Sequence, residues 1–383
     1  MKISRDRILT THVGSLPRPT ELLDPREANG WDRDEVLREA IAKVVEQQIR
    51  TGLDIVTDGE FGKPGFITYV NERLSGFEPG SPRGNPWAGS REVASFPQFY
   101  EQSSRSAGSP TTAARQTQMI CTAPIKYTGQ AQIQRDIENL KSALGGHPVE
   151  EAFIPAISPS DIEDWQKNLY YKTAEEFLFA IAEAMREEYK AIVDAGFLLQ
   201  IDDPRLVTYY MLNPGATLRD CRQWAEVRLE AINHALRGLP EDRIRFHTCY
   251  GINMGPRIHD MELKGVVDIL LKVRAGAYSF EAANPRHEHE WQVWEKAKLP
   301  AEKILIPGVI TQSSVLVEHP ELVAQRIERF AGVVGRERVI ASADCGFSSF
   351  AGSLEIHPEI VWAKLQALVD GARLASARLW TKN

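Results

Sequence analysis

Cysteine is scarce in this chain. There are four in 383 residues, too few for the disulfide framework of a small secreted scaffold. Long apolar runs are also missing. No stretch of about 18 or more uninterrupted apolar residues occurs, so no segment reads as a membrane-spanning helix. The opening MKISRDRILTTHVGS lacks an apolar core of signal-peptide length. A reducing cytoplasm, which keeps thiols free to bind metal, is the expected location. Basic blocks are absent too. A net charge of −7 and a pI near 5.8 argue against nucleic acid or an anionic membrane as partner. The rest of the composition, 43% hydrophobic and 25% charged, is that of an ordinary globular protein with length enough for a large core. Oligomeric state stays open.

The sequence repeats one rhythm. A helix-patterned stretch ends at glycine and a short β-branched strand follows, as where AIAKVVEQQIRTG runs into LDIVTDGE and LKGVVDILLKVRAG into AYSFEA. Glycine suits the left-handed turn just past a helix end. Such alternation implies parallel strands with crossover helices outside. Counting TTHVGS near residue 10, LDIVTDGE, MICTAPI near 120, FLLQIDDP, RIRFHTCY, AYSFEA, KILIPGVI and RVIASADCG gives eight strands. Eight strands close an α/β (β/α)8 barrel, here expected as a single TIM-barrel domain over 1–383. EAFIPAIS at 151–158 is surplus to that count and is assigned to a protruding hairpin with Ile125–Thr128. Residues 77–115, rich in Gly, Pro and Ser, form a long inserted loop. Its aromatics Trp87, Phe96, Phe99 and Tyr100 favour an ordered flap.

The chemistry-bearing residues gather at the ends of predicted strands. His247 and Cys249, two apart in RIRFHTCY, project to the same side of one strand. Glu281 ends AYSFEA and Cys345 ends VIASADC. One imidazole, two thiolates and a carboxylate are ligand types that zinc accepts. On the residues alone, a hydrogen-bonded core histidine is an equally good account of His247. Cys121 and Cys221 have no evident partner and read as buried small side chains. Ser15, Asp58, Glu60, Asp202 and Asp203 recur at other strand ends. Asp203 before Pro204 and Asp344 near a turn each have the alternative of capping a helix or turn.

The segments TTHVGSLPRP, DIVTDGE, LLQIDDP, FHTCYG, SFEAANPRHEHEW, IPGVI and VIASADCGF resemble the catalytic C-terminal barrel of the cobalamin-independent methionine synthase superfamily. SFEAANPRHEHEW and VEHPELVAQRIERFAGVVGRERVIASADCGF resemble its short single-barrel branch, which is similar to epoxyalkane:coenzyme M transferases. The resemblance implies zinc on His247, Cys249, Glu281 and Cys345, and a thiol substrate held by Ser15 (after Gly14), Glu60 and Asp202. It further implies methyl or alkyl transfer from an alkyl donor to a small thiol such as homocysteine. Glu281, a harder donor than the two thiolates, is the ligand expected to yield. The chain departs from the family pattern at two places. Asp203 replaces a glutamate, and GVITQSSVL puts Thr311 and Ser313 where an aspartate and an acid histidine are expected. That substitution and the missing N-terminal barrel argue against a methylfolate donor. His12, His287, His289 and His319 are replacement acids, with His287 and His289 preferred. Epoxide opening by coenzyme M is the neighbouring activity, and its sulfonate would need Arg18 or Lys63. A metal-free decarboxylase of the uroporphyrinogen type and a non-catalytic zinc protein are the readings from other classes.

Overall fold

The computed structural model describes residues 1–23, 33–103, 112–113, 115–251, 254–353 and 356–381. The described residues include eleven strands, β1 to β11 in chain order. Eight of them form one parallel sheet: β1 (Leu9–Thr10), β2 (Ile55–Val56), β5 (Glu151–Ile157), β7 (Leu198–Asp202), β8 (Ile244–Thr248), β9 (Ala277–Phe280), β10 (Ile304–Ile310) and β11 (Ile340–Ala343). Their order in space is β1-β11-β10-β9-β8-β7-β5-β2. The two ends meet through Asp54 N–H donating to Thr10 O at 3.1 Å, which nearly closes an eight-stranded (β/α)8 barrel. Among the described residues no helix is long and apolar enough to cross a membrane.

The strand count was right and one assignment was not. MICTAPI lies in β4 (Thr117–Tyr127), outside the barrel. It pairs antiparallel with β3 (Leu74–Pro82) and parallel with β6 (Lys167–Asn168) in a separate three-stranded sheet. The supposed surplus EAFIPAIS is β5, seated between β2 and β7. Burial explains the exchange. All of β5 after Glu151 is buried, as a strand covered on both faces must be, whereas Thr122, Pro124 and Lys126 of β4 face solvent. The protruding hairpin exists, but β4 makes it with β3 rather than with residues 151–158.

Alternation along the strands sorts the barrel interior into layers. Leu9, Ile55, Phe153, Leu198, Ala277, Ile304, Ile306 and Ile340 form an apolar floor. Above it Arg245, fully buried, lies over the Phe153 ring at 4.1 Å and donates to Thr11 Oγ1 and His12 O. Burial pulls its pKa down to about 9. Two residues further along the same strands come Asp202 and His247, directly paired in the β7–β8 register. A second, larger core fills the space between the strands and the outer helices.

The flap is ordered where it is described; 104–111 and 114 of the predicted 77–115 loop lie outside the described residues. It opens with β3 and continues as two short helices, Arg91–Ser95 and Pro97–Ser103. Trp87 and Tyr100 are buried against Met211, with Phe96 packed beside them, while Phe99 is exposed. Arg91 fastens the flap to the barrel by donating to the carbonyls of Tyr210, Asn213 and Ala216.

Candidate metal centre

β8 carries His247 inward, and the chain leaves that strand at Cys249 with the same facing. Cys345 follows β11, the strand beyond β9 and β10, and reaches the same point at the barrel mouth. Ligand atoms of His247, Cys249 and Cys345 lie within 4.8 Å of one another, and all three residues are buried. The two sulfurs are 3.2 Å apart, well beyond the roughly 2.05 Å of a disulfide. Cys121 and Cys221 are buried elsewhere and join no such group.

The imidazole is oriented for a metal. His247 Nδ1 donates to Asp202 Oδ1 at 2.9 Å, which leaves Nε2 as the ligating nitrogen. Asp202 is itself held by Gln200 Nε2 at 2.7 Å. The Cys345 thiol, with burial and the Glu281 charge behind it, pushes Cys249 well above the ordinary thiol range. Two thiols and an imidazole crowded in a buried space become compatible as anions and neutral base only around a cation. The donor set fits zinc.

Glu281 stands beside this trio, not within it. Its Oε1 accepts from Tyr250 N–H at 2.8 Å, and its Oε2 accepts from Arg257 Nη2 at 2.8 Å and Asn284 Nδ2 at 2.7 Å. Asp344 organises the same loop. Its carboxylate accepts from the backbone N–H groups of Ala282, Ala283 and Asn284, and burial raises its pKa to about 6. The turn reading of Asp344 is therefore observed in altered form, since it clamps the loop after β9. Asp203 likewise accepts from Leu206 N–H at the start of the helix Arg205–Leu212.

Ser15 and Glu60 meet at the Gly14 turn. Gly14 has φ +144°, and a Cβ there would come within 2.8 Å of Glu60 Oε1. Ser15 Oγ accepts from Ser348 N–H at 3.3 Å, and a Cβ on Gly346 would strike that oxygen at 2.1 Å. Ser15 therefore packs on the turn that carries Cys345. Glu60, with φ +60°, is fully enclosed; burial raises its carboxyl, Lys63 opposes this, and the Asp202 charge adds to it. Lys63 Nζ lies 3.6 Å from Glu60 and donates to Pro155 O. Arg18 spends its terminal nitrogens on the carbonyls of Ser348, Glu60 and Lys63.

The histidines proposed as acids separate. His287 is buried between Asp260 (3.1 Å) and Glu290 (2.7 Å), and its ring stacks on Tyr250 at 3.9 Å. Despite burial, those carboxylates raise its pKa to about 9. His289 is exposed in a surface cleft with Glu262 and Lys264, so the structure does not bring it to the sulfurs. His12 is buried, hydrogen-bonded to Gln48, and driven by burial to about 4. His319 caps the helix Pro320–Val334. Thr311 and Ser313 bond to each other at 2.8 Å. Sequence reasoning missed Arg257 and Asn284. Both lie in loops, where no periodicity marks a buried polar residue.

Comparison with known proteins agrees with this architecture. The cobalamin-independent synthase catalytic-domain family model matches residues 8–134 and 157–373. A methionine synthase of Saccharolobus islandicus is 25% identical, over 97% of this chain and 96% of its own length. A B12-independent methionine synthase from Shewanella sp. W3-18-1, solved with selenomethionine, superposes with TM-score 0.73 at 18% identity, covering 97% of this chain and 99% of that one. A putative vitamin-B12-independent methionine synthase from Listeria monocytogenes gives TM-score 0.67 at 22% identity, over 98% and 100%. The chain belongs to the cobalamin-independent methionine synthase superfamily.

Proposed function

We propose that this protein is a zinc-dependent enzyme that transfers a methyl or larger alkyl group to a small thiol, with homocysteine the leading acceptor. One observation carries the reading: two cysteine sulfurs 3.2 Å apart share a buried space with an imidazole whose other nitrogen is held by a carboxylate. His247, Cys249 and Cys345 would hold the metal, with Glu281 as the fourth ligand. Bound there, zinc would supply the positive charge that keeps an incoming thiol ionised at neutral pH. Three donors, above all Arg257, hold the Glu281 carboxylate beside those ligands.

Ser15, Glu60 and Asp202 receive the amino-acid end of the acceptor. Burial and the nearby Asp202 charge make an ionised Glu60 costly, and a substrate ammonium beside it offsets that cost. The same geometry disfavours coenzyme M, because Arg18 and Lys63 are already committed to backbone carbonyls and Glu60. X-ray absorption at the zinc edge tests this. Homocysteine should add a sulfur neighbour and coenzyme M should not. No response to any thiol would end the enzyme reading, and a response to coenzyme M alone would move it to epoxide opening.

A further inference from the structure

A cleft at the barrel mouth is walled by Phe66, Trp87, Trp165 and Phe350, with Asp161 and Arg205 in the same lining. Pro204, Gly251 and Phe350 place it beside the metal centre, for they follow Asp202, Cys249 and Cys345 by two, two and five residues. Trp87 Nε1, Trp165 Nε1 and Arg205 Nε are buried without hydrogen-bond partners among the described residues. Buried donors left unpaired are costly, so these walls suit an organic molecule that brings acceptor atoms. Asp161 is 4% exposed and lies in the first turn of the helix Pro159–Trp165, which Ser158 caps. In a capping box an acid at this place would reach back to the cap residue's amide. Here Ser158 N–H already donates to Asp202 O at 3.0 Å. Among the described residues the Asp161 carboxyl accepts from Ser158 Oγ, at 3.3 Å.

We propose that Asp161 is the acid that protonates the leaving atom of the alkyl donor, which this cleft binds. The proposal rests on the thiol-alkylation reading and supplies the proton donor that Thr311 and Ser313 do not. The groups facing Asp161 are Asp203, Arg205, Asp164 and Tyr189. Burial and then Asp203 hold its carboxyl well above the usual carboxylate range, with Arg205 opposing. In the step, the acceptor sulfur, having lost its proton to solvent, forms the S–C bond. The bond from carbon to the leaving oxygen or nitrogen breaks with its electron pair, and that atom takes the Asp161 proton. Solvent then reprotonates the carboxylate.

Two probes separate the outcomes, with homocysteine as acceptor in zinc-loaded protein. Epoxypropane requires a proton on its opened oxygen, whereas trimethylsulfonium leaves as a neutral thioether and requires none. D161N should lower alkylation by epoxypropane about 100-fold or more and leave that by trimethylsulfonium within about twofold. Infrared spectra at pH 7 should show a protonated carboxyl band that D161N removes. An ionised Asp161, equal losses with both probes, or no loss with epoxypropane would each overturn the proposal. Folded wild-type protein that alkylates with neither probe and shows no thiol response at the metal would instead sink the underlying reading, and this inference with it.

Discussion

Asp202 holds the Nδ1–H of His247 and lies near enough to Glu60 for its charge to act there, at the proposed thiol site. The first task was not legible in the sequence, where Asp202 reads only as a substrate residue. It follows from the β7–β8 register, which pairs the two positions. Removing a carboxylate behind a metal-bound histidine typically costs about 10–100-fold in affinity. D202N should therefore weaken zinc binding by that factor in chelator competition, and unchanged affinity would contradict the assignment. His287 carries a second expectation. Its folded-state pKa, about 9, lies above the ordinary 6.5. The ring therefore contributes stability that is fully present below pH 6.5 and is lost as pH rises through about 9. At about 1.4 kcal/mol per pH unit the whole effect is on the order of 3 kcal/mol. Urea unfolding at pH 6 and pH 10 should show the wild type losing this much more than H287Q; equal losses would remove His287 from the account. The His-x-Cys pair was readable because strand periodicity dictates its facing. Arg257 was not, since its burial depends on meeting Glu281 from the end of another strand, with Asp260 and Tyr250 beside it in its own loop.

Among the elements, the alternation of helix and strand was enough to give the barrel, while the identity of its third strand was not. MICTAPI and EAFIPAI both read as apolar strands, and tertiary cover decides which is buried on both faces. The sequence signal that separates them is the polar Thr122 and Lys126 in β4, whose positions alternate outward in the structure, against none after Glu151 in β5. The flap was legible as ordered from its aromatics, but its fastening was not. Arg91 donates to three carbonyls around the end of the helix Arg205–Leu212 and lies over the Tyr210 ring at 4.2 Å. Hydrogen bonds to a charged group contribute about 1.5–3 kcal/mol each. R91A should thus free the segment 83–103 to limited proteolysis at least tenfold faster while the barrel melts as before. Loss of the whole fold, or unchanged cleavage, would show that Trp87 and Tyr100 alone hold the flap.

The whole molecule is an apolar barrel floor, a buried arginine above it, and a mouth where strand-end groups converge. That polarity gradient is what a parallel barrel offers chemistry, and most of the mouth could be anticipated from strand ends. The loops that hold Glu281 and cover the aromatic cleft could not, because loop paths follow no period. Metal analysis of the purified protein decides whether this mouth is a zinc site. About one zinc per chain is expected, liganded by two sulfurs and at least one nitrogen, and lost when both Cys249 and Cys345 are replaced by serine. Folded protein without stoichiometric zinc, or zinc retained after both replacements, would contradict that expectation.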